Sequence, residues 1–381
     1  MKSNYEPLGK HIRLVDYRNS EEVTSTVLGI SIDKEFMPSV ANVIGTDLSR
    51  YKLISKGLFA CNPMHVGRDE RLPIALYEKD NAAIVSPAYF MFEIIDRDVL
   101  NEEYLMMWFR RPEFDRECWF MTDGSVRGGI TWDDLCRIKL PVPSYARQCE
   151  IVESYRAITN RIALKRAEND NLEATLNTVF VKMYEETDKD SSVLLSELCS
   201  LASSKRVFAE DYVSDGVPFY RGKEITQKRN GEPISDPLFI SHNHFASLKA
   251  NYGIPVCGDI LITAVGTIGN SYFVQDEEFY FKDGNIIWLK DFIEPSLNYY
   301  IYDYMQTPIF KRQLEGICIG STQTALTIVA LSNLKVKKPR TAELALYCEK
   351  SKALRSAIQT NNGEIERLTQ VAQAMLASLS R

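Results

Sequence analysis

Two stretches of this chain carry apolar residues at alternating three- and four-residue spacing, the pattern of a helix with one buried stripe. The first runs from Tyr145 to about Glu186 without a proline or glycine. It places Ile151, Tyr155, Ile158, Ile162, Leu172, Leu176, Val179 and Met183 on the stripe. Positions 165 and 169 share that register but are Lys165 and Asn169. The second stretch repeats the pattern at Tyr347, Leu354, Ile358, Ile365, Leu368, Met375 and Leu379, with Ser351 and Asn361 as its polar positions. About forty helical residues span roughly 60 Å. A stripe of that length needs a partner helix, because it otherwise faces water. The economical partner is the other stretch, paired antiparallel within one chain.

The remaining pattern is mixed. Strand-like runs at Thr26–Ile32 and Ala83–Ile94 precede a helical stretch near Asn101–Arg111. A glycine-rich loop at Asp123–Gly129, a short helix at Thr131–Cys136 and a strand at Ile138–Val142 follow. Pro141 and Pro143 end that strand, and Ser144 is placed to cap the first long helix. Thr187–Asp190 reads as a charged hinge. Beyond it come turns at Ser214–Gly216, Asn230–Pro233 and Asp283–Gly284 and a hairpin running from Gly258-Asp259-Ile260-Leu261-Ile262-Thr263 to Gly269-Asn270-Ser271-Tyr272-Phe273-Val274.

Shifting the chain by 196 residues lays it on itself without a gap, pairing Tyr104 with Tyr300, Pro112 with Pro308, Gly124-Ser125 with Gly320-Ser321 and Leu172 with Leu368. Positions 104–183 hold 16 identities with their mates, where chance gives roughly five. The period is too long for a solenoid unit of about 20–50 residues. It indicates two copies of a domain-plus-helix unit: a first domain at 1–143, a long helix at 144–186, a second domain at 187–339 and a second long helix at 340–381. The expected class is α+β.

At 381 residues, 45% hydrophobic and 25% charged, the chain has material for two cores. No apolar run is long enough to span a membrane, and the opening MKSNYEPLGK has no leader-like character. Eight cysteines without a CxxC suit a reducing cytoplasm better than a disulfide frame or zinc site. The net charge of −6 weighs against a nucleic-acid partner. Basic pairs in loops, among them Lys205-Arg206, Arg221 with Lys223, Lys228-Arg229 and Arg68 with Arg71, weigh the other way, because local charge governs phosphate contact.

Motifs for chemistry are missing. Asn62-Pro63-Met64-His65 lacks the second proline and aromatic of the Asn-Pro-Pro-aromatic motif of amino-methyltransferases. Gly258–Gly269 has no GxxxxGK[ST], and His242-x-His244 has no third ligand at suitable spacing, so a surface loop is expected there. No HExxH or GxSxG occurs. The chain is therefore expected to have no catalytic residues, no metal site and no cofactor of its own.

The strand Ile138-Lys139-Leu140-Pro141-Val142-Pro143, followed by Gln148, Ile151 and a long helix, resembles the helix-entering region of type I restriction-modification specificity subunits. Val217-Pro218-Phe219-Tyr220-Arg221-Gly222-Lys223-Glu224-Ile225 resembles the opening segment of their target-recognition domains. Gly258–Thr263 with Gly266-Thr267-Ile268-Gly269 is similar to the central strands, and Gly320-Ser321-Thr322-Gln323 to the late loop. The first copy has Arg147-Gln148 where the family usually has Glu-Gln, and the second has Glu343-Leu344. Lys56-Gly57-Leu58-Phe59-Ala60 stands in for the Gly-Asp-Ile-Leu strand in the first copy.

The resemblance implies two α/β target-recognition domains in a pseudo-two-fold repeat, separated by long antiparallel helices in an intramolecular coiled coil. It implies a bipartite double-stranded DNA target, two modification (methyltransferase) subunits and restriction (helicase-nuclease) subunits as partners, with no membrane. Those partners would hold S-adenosylmethionine, ATP and magnesium. Lys and Arg position such domains on phosphates, while Arg, Asn and Gln read base edges. The expected DNA-binding residues are Asn62, His65, Arg68, Arg71, Ser125 and Arg127 in the first domain. In the second they are Lys205, Arg206, Tyr220, Arg221, Lys223, Thr267, Ser321, Thr322 and Gln323. Lys165, Asn169 and Asn361 are expected to set the helix register. The competing readings are a coiled-coil assembly scaffold that does not read DNA and, more remotely, a methyltransferase fused to recognition domains.

Overall fold

The structure, a computed structural model, describes residues 5–39, 45–64, 66–122, 128–231, 234, 236–318 and 325–379. The two periodic stretches form helices at Tyr145–Glu186 and Thr341–Ser378. Contacts divide the chain into two compact units, Met1–Leu164 with Ile365–Arg381, and Lys165–Glu364. The boundaries expected from the sequence lie at the helix ends, whereas these units divide inside both helices. The reason is that each globular part packs its core onto a length of both helices.

In the second unit the two helices run antiparallel, and the expected register residues bond to one another. Lys165 Nζ donates to Asn361 Oδ1 at 2.8 Å, Asn361 Nδ2 to Asn169 Oδ1 at 2.9 Å and Asn169 Nδ2 to Asn362 Oδ1 at 2.8 Å. Asn169 and Asn361 are both buried. Lys165 thus meets its own mate in the repeat (361 − 165 = 196).

The first unit contains an antiparallel pair, β1 (Tyr5–Pro7) with β10 (Lys139–Pro141), and two four-stranded sheets. One sheet has the order β2 (Ile12–Leu14), β9 (Phe90–Ile94), β6 (Phe59–Cys61), β7 (Ile74–Leu76). The other has the order β4 (Phe36–Pro38), β3 (Val27–Ile30), β8 (Ala83–Val85), β5 (Lys52–Ile54). The helix Glu102–Phe109, buried on nearly every side chain, and the helix Pro112–Phe120 cover the first sheet. Val152 and Leu376 of the long helices, with Leu379 just past the end of the second, close the same core.

The second unit repeats this plan. It pairs β11 (Ser192–Leu194) with β20 (Lys335–Lys337) and orders one sheet β12 (Ser200–Ala202), β19 (Ile286–Lys290), β16 (Ile260–Thr263), β17 (Ser271–Phe273). Its other sheet has the order β13 (Tyr212–Val213), β15 (Leu238–Ile240), β14 (Val217–Tyr220), β18 (Tyr280–Phe281). Both outer sheets share an antiparallel pair joined to a parallel strand, β3 with β8 and β14 with β18, and differ in their edge strand.

Strand β6 sits in its sheet where β16 sits in the other, which confirms the substitute segment expected at Lys56–Ala60. Each strand is led in by a glycine at positive φ, Gly57 at 84° and Gly258 at 96°, a conformation that glycine adopts without strain. Each glycine N–H donates to the neighbouring segment, Gly57 to Tyr77 O at 2.9 Å and Gly258 to Val274 O at 3.0 Å. The repeat also keeps a side-chain bond: Tyr104 Oη donates to Pro141 O at 3.2 Å and Tyr300 Oη to Lys337 O at 2.5 Å. One loop expectation is corrected. His242 and His244 open a helix, His242–Tyr252, whose N-cap Ser241 accepts from the His244 N–H at 3.2 Å.

The joint between globular part and long helix differs between the copies. In the first unit Gln148, fully buried, accepts from Asn101 N at 2.9 Å and donates to Val99 O and Pro143 O, both at 2.9 Å. Its mate is the buried Leu344. Conversely, Asp303 is buried in the second unit and accepts from Tyr347 Oη at 2.5 Å and Ser351 Oγ at 2.7 Å. It also pairs with Arg355, whose guanidinium lies 4.4 Å over the Tyr302 ring. The mates of Asp303, Tyr347 and Ser351 are Met107, Ile151 and Tyr155, which belong to an apolar core.

Removing one partner from a buried ionic network leaves the others unpaired and costs about 3–5 kcal/mol, whereas replacing the whole network by apolar groups is often neutral. Asp303→Ala should therefore lower the denaturant midpoint of the second unit strongly. Grafting the first joint, Asp303→Met with Tyr347→Ile, Ser351→Tyr and Arg355→Thr, should recover most of that loss. At the seam, Asn169→Leu with Asn361→Leu should raise the melting temperature, because polar residues in a helix seam lower stability while penalising shifted registers. Denaturant unfolding of the full-length variants checks the first, and thermal unfolding the second.

Candidate nucleic-acid interface

In the second unit an open cleft of about 640 Å³ is lined by Arg221, Gly222, Lys223, Thr226, Asp236, Val265, Gly266, Thr267 and Asn285. One wall is the tip of the β16–β17 hairpin. Gly266 and Gly269 turn the backbone at φ of 77° and 90°. The buried Thr263 ties the tip down, its Oγ1 donating to Thr267 O at 2.5 Å and accepting from Asn270 N at 3.0 Å. The loop is thus held from beneath, and the Thr267 side chain stays exposed. A backbone bridge from Val265 to Ala325, with Leu326 N donating to Ala264 O at 2.9 Å, brings the residues after the late loop to this wall.

The opposite wall is the start of the helix Gly222–Arg229, with Arg221 as its N-cap. Glu224 is completely buried and accepts three bonds from Arg221: from the backbone N at 2.8 Å, from Nε at 3.1 Å and from Nη2 at 2.6 Å. Burial pushes the Glu224 carboxyl up, but the Arg221 bonds outweigh it and hold the group below its ordinary value. Arg221, about one-third exposed, is correspondingly held as a cation. Lys223 is exposed on the same wall.

Arg206 and Lys205 lie on the segment after β12. Arg206 Nε donates to Asp283 at 2.8 Å, two residues from the cleft-lining Asn285. The Lys205 backbone N–H donates to Tyr280 Oη at 2.8 Å, and its ammonium lies 5.4 Å over Tyr252. Tyr220 is a correction. It is buried, stacks on Phe279 at 4.6 Å and directs its hydroxyl toward Glu277 at 3.4 Å, so it forms core and not surface. β14 ends in two buried residues, Phe219 and Tyr220, on opposite faces, and the chain reaches the surface only at Arg221, the N-cap of the following helix.

In the first unit Asn62, Arg68 and the segment after the glycine-rich loop converge. Ile130 N donates to Pro63 O at 3.1 Å and Gly67 N to Gly128 O at 2.9 Å. Asn62 Oδ1 accepts from Met64 N at 3.2 Å, Arg68 forms a bidentate pair with Asp69 and Arg71 meets Asp33 at 3.2 Å. Both arginines remain more than half exposed. His65, Ser125, Arg127, Ser321, Thr322 and Gln323 lie outside the described residues. A second cleft in this unit, lined by Asn19, Glu22, Thr24 and Asp47 among others, contains none of the expected residues. Among the described residues no three His, Cys, Asp or Glu side chains group as metal ligands, and no helix is long and apolar enough to cross a membrane.

Residues 190–370, which include this cleft, match the family model of the type I restriction modification DNA specificity domain. Over these residues the chain is similar to type I restriction-modification specificity subunits. A type I restriction enzyme specificity subunit of Haemophilus influenzae is 28% identical over 225 residues, 57% of this chain and 55% of the relative. The match thus spans about half the length of that protein. The crystal structure of a type I restriction-modification S subunit from M. genitalium aligns over 99% of this chain and 96% of its own, with a TM-score of 0.57 and 13% identity. That likeness concerns the fold. A structure described for complex assembly and conformational transition of a type I system aligns over 99% and 97%, at 17% identity and a TM-score of 0.48.

The cleft gathers Arg221 and Lys223 with Thr267 from two segments, whereas Lys205 and Arg206 are not among its lining residues. Glu224, Thr226, Asp236 and Asn285 were not singled out from the sequence. The signal for Glu224 was present, as an acidic residue three positions after an N-cap. Asn285, next to the Asp283-Gly284 turn, carried no signal beyond turn composition.

Proposed function

We propose that the chain is the DNA-reading subunit of a type I restriction-modification complex, acting in the cytoplasm. It binds a bipartite duplex target with its two globular parts and docks two modification subunits and the restriction subunits. Catalysis belongs to those partners, which carry S-adenosylmethionine, ATP and magnesium. The observation that supports this best is the second-unit cleft, where a lysine and an ordered arginine face an open groove beside a hairpin tip. A groove of this make-up offers charge to phosphates and planar donors to base edges. The overall acidity is compatible with such a partner, because local charge governs phosphate contact.

Phosphate neutralisation releases counterions, so affinity for duplex DNA should fall steeply with salt, the log–log slope changing by about 0.9 per contact. Lys205→Ala with Arg206→Ala should flatten that slope while leaving the selected sequence intact. Titration of labelled duplex at several salt concentrations measures it, and an unchanged slope would assign both residues to ordinary surface. A scaffold that does not read DNA would show no sequence preference at any salt.

The purified chain alone should transfer no labelled methyl group from S-adenosylmethionine to DNA. Adding the cognate modification subunit should produce methylation at one bipartite sequence. Transfer by the chain alone would sink the non-catalytic assignment.

A further inference from the structure

Arg221 is held along one edge only. Its Nε and Nη2 are both taken by the buried Glu224, and among the described residues no hydrogen bond is made by Nη1. A guanidinium has five N–H donors in a rigid plane, so clamping one edge aims the other. That plane borders the cleft. Asp236, 71% exposed, also lines the cleft and lies 3.8 Å from Arg221 Nη2. The cleft therefore sets a planar double donor beside a carboxylate acceptor.

We infer that Arg221, oriented by Glu224, reads a guanine in the half-site of the second unit, with Asp236 facing the amino group of the paired cytosine. The inference rests on the DNA-reading function proposed above. Guanine presents O6 and N7 as two acceptors in the major groove, which a planar arginine edge meets bidentately, while cytosine presents an N4 donor that suits a carboxylate. Adenine replaces the O6 acceptor by a donor and would face Arg221 unpaired. Lys223 and Arg221 thus divide the work: the exposed lysine, a flexible point charge, contacts phosphate, and the arginine reads. Glu224 is a positioning residue, since it acts only through Arg221.

The test selects sequences from a randomised duplex pool with the full-length chain, alone and with its modification subunit. The variants are Arg221→Lys, Glu224→Gln and Lys223→Ala, each first checked by thermal melting. Arg221→Lys keeps the charge and loses the planar fork. It should reduce preference for G·C at one base pair of the motif on the order of ten- to a hundred-fold, leaving the other positions as they were. Glu224→Gln should relax the same base pair, and Lys223→Ala should weaken binding evenly and flatten the salt slope with the motif unchanged. If Glu224→Gln fails to fold, Arg221→Lys decides alone, because the Glu224 carboxylate and its bond from the backbone N–H of residue 221 are intact in it. An unchanged motif in Arg221→Lys, or an even loss across all positions, overturns the inference while leaving the DNA-reading function standing. Failure of the wild-type chain and complex to select any motif overturns both.

Discussion

A long apolar helix stripe has to be covered, and everything else in this chain is arranged around that requirement. Neither helix is capable of standing alone in water with such a stripe. Pairing with the other helix covers part of it, and the globular parts cover the rest: in the second unit Phe180 packs on Tyr347 of the other long helix and on Tyr300 and Tyr304 of the globular part. Where the two helices meet at Lys165, Asn169 and Asn361, the seam is polar. There each amide finds a partner only in the register observed, because a shift would bury it against an apolar neighbour.

The same need is met differently in the two copies. Gln148 fastens the first long helix with two hydrogen bonds to the segment before its neighbour and one to Pro143, while Leu344 serves the second by burial alone. The second unit instead places a carboxylate, Asp303, among two hydroxyls and a guanidinium, where the first has Met107 in apolar company. Both are sound solutions: an apolar joint needs only shape, and an ionic one needs every donor in place. Gln148, which keeps the Gln of the expected Glu-Gln pair, fastens its helix locally, and Leu344, which departs from that pair in the second copy, is buried in its place. For Glu343 the structure offers no comparable role.

Much of the candidate site was legible in advance. Arg221, Lys223 and Thr267 were named from segments forty residues apart, and the structure brings them to one cleft. Tyr220 was misjudged, because residue type and proximity to Arg221 do not reveal that the end of β14 is covered on both faces. Glu224 was overlooked for the opposite reason. Its place three positions after an N-cap was readable, but that its carboxylate is buried and clamps the Arg221 side chain as well as its backbone N–H was not. Asp236 and Asn285 were invisible, since nothing local distinguishes a cleft wall from an ordinary turn.

Periodicity and self-similarity are properties of the sequence, so the two helices, their antiparallel pairing, the doubled plan and the glycine-led hairpin could all be read from residues alone. Local rules suffice for these: a stripe at helical spacing, a turn that needs glycine, a proline that stops a strand. The arrangement of each globular part as two small sheets, the compact units that divide inside the helices, and the clamp on Arg221 were decided only in three dimensions. They depend on which distant segments share a core, and burial, unlike periodicity, is not a property of any single stretch of chain.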